Sequence, residues 1–276
     1  IALLFFEDPT PDGANINPFF LAMLGAITRA SANRGLDLLI SFQKMEDDWH
    51  VRYQDSHRAD GLILLGYGDY TVYEQRLSQL VASDTLFVRW GSVRDDNIGA
   101  TVGSDNFGAG QQAGEHLLAL GRRRIAFLGH ADEHYPEFAE RYRGLCSALD
   151  QAGHRADPAL QADALSSEGD GRKAAQALLD SGADFDAVFA ASDLIAIGAI
   201  QALNAAGKRV PQDIAVMGFD NIPAASLTTP PLTTLVQDLK TGGELLVESL
   251  IAQIEDRPVP AGTIPATLVV RRSTVG

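Results

Sequence analysis

The sequence predicts an α/β protein made of two doubly wound parallel-sheet lobes in tandem. Three observations carry this. Short apolar runs alternate with longer segments whose apolar residues follow helical spacing, and such alternation folds as a parallel sheet with crossover helices. The alternation starts again in mid-chain, near Val102. Finally, 276 residues suffice for two lobes of ordinary size, each with its own core.

The first strand is Ile1–Phe6, followed by the breaker-rich loop EDPTPDGANINP. A helix is expected from about Pro18 to Arg34, with Phe20, Leu24 and Ile27 on one face and Gly35 as its stop. Leu36–Ile40 is the second strand, a charged helix follows near Glu46–His57, and Gly61–Leu65 is the third strand. A helix over Val72–Ser83 leads into the fourth strand, Thr85–Trp90.

Val102 begins the second series, with a helix over Phe107–Leu120 built on Ala109, Ala113, Leu117 and Leu120. Strand Ile125–Gly129, helix Phe138–Ala152, a weak strand Leu160–Leu165 and helix Gly171–Ser181 continue it. Val188–Ala190 reads as a buried strand. Ser192 offers an N-cap to a helix carrying Ala196, Ile200 and Leu203, which Gly207 closes and Pro211 keeps from continuing. Ile214–Gly218 is the next strand and delivers Phe219, Asp220 and Asn221 at its carboxyl end. After the turn NIPAAS and the strand LTTLVQD, a helix spans Asp238–Glu255, and a turn at Arg257–Pro260 leads to a last strand, Ala266–Arg271.

Composition narrows the function classes. Hydrophobic residues make up 46% and charged residues 21%, and no apolar run approaches a membrane-spanning length, so a soluble globular protein is expected. The formal net charge is −14. Binding nucleic acid needs a basic footprint, so this stretch by itself is a poor DNA binder. The one basic run, Arg122-Arg123-Arg124, falls between a helix and a strand and reads as a solvated loop. Cys146 is the only cysteine, which rules out an internal disulfide and fits a reducing cytoplasm; inside a helical pattern it reads as a buried thiol. No signal peptide opens the chain, and its start directly on a strand points to residues upstream.

Three chemical motifs fail. Gly108, Gly110 and Gly114 form a loose glycine fingerprint, but the next strand ends in Gly129-His130 without the acidic residue that would hold a ribose. His130 and His134 flank Asp132 and Glu133 in a loop rather than on a helix face, so no metal site is expected. Neither a nucleophile elbow nor a phosphate loop is present. No catalytic residue, cofactor or enzymatic activity is expected.

Ligands of open α/β sheets sit beyond the carboxyl ends of the strands. That position makes Ser192, Asp193 and Asp220 candidates in the second series. The Asp220 carboxylate is able to accept two hydroxyl hydrogen bonds, as polyol recognition requires; its alternative is to cap the NIPAAS turn. Asp193 has the alternative of favouring a helix N-terminus. Arg89 and Trp90 end the fourth strand: Trp90 offers a face for a sugar or planar ring, and Arg89 has the alternative of pairing with Asp95 or Asp96.

The blocks ASDLIAIGAIQAL, GFDN and TPPLTTLVQD, in that order, resemble the effector-binding core of the lactose-repressor/galactose-repressor family of bacterial transcription regulators. VGSDNFGAGQQAGEHLLALGRRRIAFLG, ERYRGLCSAL and TLVVRRSTVG extend the resemblance over nearly the whole chain. It implies a fold like a type I periplasmic binding protein, with a ligand cleft between lobes formed by residues 1–100 plus 237–265 and by 101–236 plus 266–276. It further implies a small polar effector, a sugar or sugar derivative, that favours one arrangement of the lobes.

The candidate effector-binding set is Phe19, Phe20, Arg89, Trp90, Arg141, Ser192 and Asp220. The resemblance places an effector-binding Arg at Arg141, whose alternative is a surface position beside Glu137 and Glu140. Of Phe19 and Phe20, one is expected in the core and the other in the cleft. Many sugar-responsive members have Asn at Ser192, and several have Asp at Arg89. The reversed charge there, with Arg141, would suit an anionic effector such as a sugar acid. The family reads operator DNA through a helix-turn-helix that would precede Ile1 and is absent from this chain. It acts as homodimers, with Ala224–Thr228 and the first-lobe helices expected at the interface. A periplasmic sugar-binding protein of a transport system shares the fold and is the alternative reading.

Overall fold

The computed structural model describes residues 1–6, 16–43, 48–49, 51–66, 68–260 and 262–275. The breaker-rich loop after Phe6, apart from its last residues, and Glu46 lie outside these. The chain opens with β1 (Ala2–Phe6), α1 (Pro18–Asn33), β2 (Leu39–Gln43), β3 (Leu62–Leu65), α2 (Tyr70–Ala82), β4 (Phe87–Trp90) and β5 (Ala100–Ser104). Next come α3 (Asn106–Ala119), β6 (Ile125–Leu128), α4 (Pro136–Gln151), β7 (Gln161–Ala162), α5 (Glu168–Asp180) and β8 (Ala187–Ala190). Then follow α6 (Asp193–Ala205), β9 (Ala215–Asp220), β10 (Thr233–Val236), α7 (Leu239–Ile254), β11 (Gly262–Ile264) and β12 (Thr267–Val269). Two compact units result. Ile1–Asp105, Glu133–Tyr135 and Asp238–Ile264 form the first; Asn106–Asp132, Pro136–Gln237 and Pro265–Gly276 form the second.

The first unit holds a sheet of strand order β11-β5-β4-β3-β1-β2 in which every pairing is parallel. Strands covered on both faces favour continuous apolar runs, and β3 and β4 are buried along their whole length. Asn17 starts α1 by accepting the Phe19 amide at 2.9 Å, Pro18 fits its first turn, and Gly35, at φ +69°, ends it. α7 packs on α1 at close range: a Cβ on Gly243 would stand 2.8 Å from the Ala26 carbonyl carbon.

Of the charged helix expected near Glu46–His57, Trp49 is helical and Val51–Asp55 form a π-helical turn, while Glu46, Asp47 and His50 lie outside the described residues. Trp49 and Tyr53 are buried with Tyr73, Leu77, Leu80 and Phe87, and the amides of Arg58 and Ala59 both return to the Tyr53 carbonyl. Val102 does not begin the second unit: β5 lies parallel to β4, with Val88 opposite Ala100. The last strand, expected over Ala266–Arg271, is β12, antiparallel to β10 in the second unit; a further strand, β11, precedes it on β5 in the first.

The second unit repeats the plan, in the order β12-β10-β9-β8-β6-β7, with β12 the one antiparallel member. The strand expected over Leu160–Leu165 is only the short edge strand β7. Arg122 departs from the solvated-loop reading, because its Nη2 donates to the Pro211 carbonyl at 2.5 Å and its Nη1 to that of Asp186 at 3.2 Å. In both sheets the strand order reverses beside the unit's first strand, between β1 and β3 and between β6 and β8. Carboxyl ends flanking such a reversal are the usual ligand positions of the fold. Among the described residues no helix is long and apolar enough to cross a membrane.

Candidate functional site

At the carboxyl end of β9 the backbone leaves the sheet through two left-handed residues, Asp220 at φ +114° and Asn221 at φ +56°. Such conformations cost a non-glycine residue about 1–3 kcal/mol and persist only where the surroundings hold them. Here they are held from three directions. The Ile222 amide donates to Asp193 Oδ2 at 2.8 Å, the Asn221 amide to Thr234 Oγ1 at 3.3 Å, and Arg271 Nη2 to Asn221 Oδ1 at 2.7 Å. Thr234 Oγ1 in turn donates to Asp193 Oδ1 at 2.6 Å. Asp193 is therefore a fastening between α6 and the turn after β9. Its burial, and then the nearby Asp220 charge, push its carboxyl well above the usual range.

Asp220 itself is 5% exposed. Its Oδ1 accepts from Gln237 Nε2 at 2.7 Å, and among the described residues nothing donates to Oδ2. Burial raises its pKa to about 7, against the opposing pull of the Arg141 charge and the Gln237 hydrogen bond.

Arg141, on α4, is 1% exposed, which overturns the surface alternative. Its Nε donates to Asn106 Oδ1 at 2.9 Å and its Nη1 to the Ala191 carbonyl at 2.5 Å. The guanidinium carbon lies 3.6 Å from the centre of the Phe219 ring and 5.3 Å from that of Phe138. Nη2 has no acceptor among the described residues. Two glycines make this placement possible. A Cβ on Gly110 would meet the Arg141 carbonyl at 2.1 Å, and one on Gly144 the Phe107 carbonyl at 2.1 Å. α3 and α4 therefore cross backbone to backbone, which brings Arg141 within reach of Asn106. Gly110 and Gly114, two of the glycines that resembled a dinucleotide fingerprint, serve helix packing instead.

Ser192 is buried beside this group and caps α6, accepting the Ile195 amide at 3.3 Å and the Ser166 hydroxyl at 2.9 Å. The second unit thus gathers Arg141, Ser192 and Asp220 of the expected set, and adds Gln237, Asn106 and Ser166.

The first unit holds the other four. Phe19 and Phe20 are both buried, so helical alternation does not separate them into an inward and an outward ring. Their centres are 5.3 Å apart in an edge-on arrangement, and Phe19 lies 6.0 Å from Trp90. Trp90 is buried in turn, and a Cβ on Gly242 would touch its ring at 2.8 Å. Arg89 is 3% exposed and lies 5.2 Å over the Tyr70 ring. Its expected ion pair with Asp95 or Asp96 does not form; Arg94 takes Asp96 at 2.8 Å and Glu133 at 2.7 Å.

Cys146 is half-buried beside Tyr142, and burial raises its thiol pKa. His134 Nδ1 meets Asp69 Oδ2 at 2.8 Å, and His130 lies 3.6 Å from Asp163. Among the described residues no group of three or more His, Cys, Asp or Glu is placed to hold a metal ion.

The second unit is thus a doubly wound sheet with flanking helices and a buried polar cluster at its carboxyl ends. The periplasmic binding protein-like domain family matches residues 115–274. The ribose operon repressor of Halalkalibacterium halodurans is 31% identical over 266 residues, covering 94% of this chain and 77% of that protein. The HTH-type transcriptional regulator CelR of Thermobifida fusca is 30% identical over 255 residues, 92% of this chain and 73% of that one. The solved structure of a transcriptional regulator CelR–cellobiose complex superposes with a TM-score of 0.86 at 28% identity, covering 99% of this chain and 84% of its own. The fold is that of a periplasmic-binding-protein-like domain. The chain belongs to the LacI family of transcription regulators, as the effector-sensing core. The alternative as a transport component finds no support in these relatives, which are regulators, not enzymes or carriers.

Proposed function

We propose that this chain senses a sugar or sugar derivative for a transcriptional repressor, reading effector hydroxyls with Asp220 and Arg141. The observation that carries the reading is their pairing: a buried carboxylate with Oδ2 uncommitted, and a buried guanidinium with Nη2 uncommitted, each otherwise fixed by the protein. An acceptor and a donor held side by side match two neighbouring hydroxyls, each of which both gives and accepts a hydrogen bond. Ser192 joins them as a proposed effector contact of the second unit, and Phe19, Phe20, Trp90 and Arg89 are the proposed effector contacts of the first. The ribose operon repressor and the cellobiose-bound CelR support a carbohydrate effector. Operator DNA is the proposed macromolecular partner, in line with relatives named as HTH-type regulators, and homodimers in the cytoplasm the proposed working form.

The test is a thermal-shift screen with neutral sugars, sugar acids, sugar phosphates, nucleobases and amino acids. Bound ligand raises the midpoint by mass action, by about 2.7 kcal/mol of stability at a hundredfold excess over Kd. A shift with one carbohydrate class that disappears in both Asp220→Ala and Arg141→Ala is the expected result. A shift confined to nucleobases or amino acids would replace the carbohydrate reading.

A further inference from the structure

We infer that the effector carries an anionic group, a carboxylate or a phosphate ester, and that Arg89 selects it. This rests on the proposed carbohydrate reading and narrows it. Arg89 stands at the carboxyl end of β4, where its own sheet presents ligand positions. It is 3% exposed, and no described residue accepts a hydrogen bond from it or forms an ion pair with it. Its Nε is completely enclosed with no acceptor. The other buried guanidinium among the described residues, Arg141, is provided for by Asn106 and the Ala191 carbonyl, and the half-buried Arg122 by the Asp186 and Pro211 carbonyls.

Asp96, although it feels the Arg89 charge, is hydrogen-bonded instead by both Nε and Nη2 of Arg94. What Arg89 does have is the face of Tyr70, 5.2 Å from its guanidinium carbon, which fixes the plane of the fork without using any of its five N–H donors. A planar, oriented and hydrogen-bond-hungry guanidinium is complementary to a pair of anionic oxygens, which it grips through two parallel bonds. A neutral hydroxyl satisfies only one donor and leaves the charge uncompensated. In a chain of net charge −14, a buried cation without a hydrogen-bonded carboxylate is also an attractive point for an anion that the acidic surface as a whole repels.

The test is titration calorimetry with matched series: glucose, gluconate and glucose 6-phosphate; ribose, ribonate and ribose 5-phosphate; glucuronate and its methyl ester. The expected result is an acid or phosphate binding at least tenfold more tightly than its neutral counterpart, and glucuronate more tightly than its ester, in the unaltered protein. Which anion wins separates carboxylate from phosphate recognition. Arg89→Met, checked for an unchanged unfolding midpoint or a raised one, should bring the anionic ligand down to the affinity of the neutral one. Arg89→Lys should restore part of the difference. Equal binding of acid, ester and neutral sugar would overturn the inference while leaving the carbohydrate reading intact. Binding to none of the series, with a shift from a nucleobase or amino acid, would overturn both. The ester comparison needs no variant, so a folding defect in Arg89→Met would not protect the idea.

Discussion

Gln237 donates from Nε2 to Oδ1 of Asp220 at 2.7 Å, which leaves Oδ2 as the carboxylate oxygen without a donor among the described residues. The two residues leave neighbouring strands, Asp220 from the end of β9 and Gln237 from just beyond β10. Parallel pairing of those strands, with Val236 opposite Asp220, sets the distance. Replacing Gln237 with Met keeps the volume and removes the bond. The Asp220 pKa should then rise further, since the lost bond was one of the two influences holding it down. Effector affinity at neutral pH should fall about tenfold and recover partly at higher pH, as read by calorimetry.

Asp220 also sets a pH dependence. Its folded pKa, about 7, lies above that of an unfolded aspartate, so between roughly pH 4 and 7 the folded state binds more protons than the unfolded one. Stability should therefore decrease as pH rises through this window and level off above it. Asp220→Asn should reduce that slope, leaving the part that the raised Asp193 carboxyl contributes, and stabilise the ligand-free protein at pH 8 by on the order of 1–3 kcal/mol in urea denaturation, while abolishing effector binding. A neutral polyol that donates to the carboxylate should bind the other way round, about tenfold more tightly at pH 8 than at pH 6.

The α3–α4 crossing makes Gly144 a sensitive position. Gly144→Ala puts a methyl where the Phe107 carbonyl stands 2.1 Å away, and backbone is not free to yield. A loss of about 2–4 kcal/mol in urea unfolding is expected, together with weakened effector binding as Arg141 is drawn off Asn106. An unchanged denaturation midpoint would mean that the helices separate easily and that Arg141 is not positioned by them.

Thr234→Val is nearly isosteric but removes the hydroxyl that links Asp193 to the Asn221 amide. One buried carboxylate oxygen and one amide then lose a partner, at about 2–3 kcal/mol of stability. Effector affinity should fall as well, although Thr234 makes no proposed contact with ligand, because the φ of Asp220 is no longer held.

How much of this could be read from the sequence depended on distance along the chain. The strand ends and the N-cap at Ser192 are local, and periodicity with one capping residue found them. Thr234 and Gln237 were visible only as letters of a motif. Their purpose lies in bonds to Asp193 and Asp220, 41 and 17 positions away, and no local pattern reports those. Arg141 entered through resemblance; a helix start rich in Glu hid a side chain that ends up enclosed. β5 was misassigned because ATVGS is not a continuous apolar run, and β11 was missed because a three-residue strand falls below any periodicity. Phe19 and Phe20 show the limit of helical alternation, which describes directions around an axis but not how far the neighbouring elements wrap it.

The isolation of Arg89 has a consequence for how this family could acquire new specificities. Asp193, Thr234, Arg271 and Gly144 are tied into the backbone, so exchanging any of them endangers folding before it alters recognition. The Arg89 guanidinium lies over one aromatic ring and makes no side-chain hydrogen bond among the described residues. Its replacement by Met should leave the scaffold as stable or more so, since a buried charge without a counter-ion opposes folding. Retargeting the sensor toward uncharged compounds is then a matter of a single codon, open to drift in nature and to library selection in the laboratory.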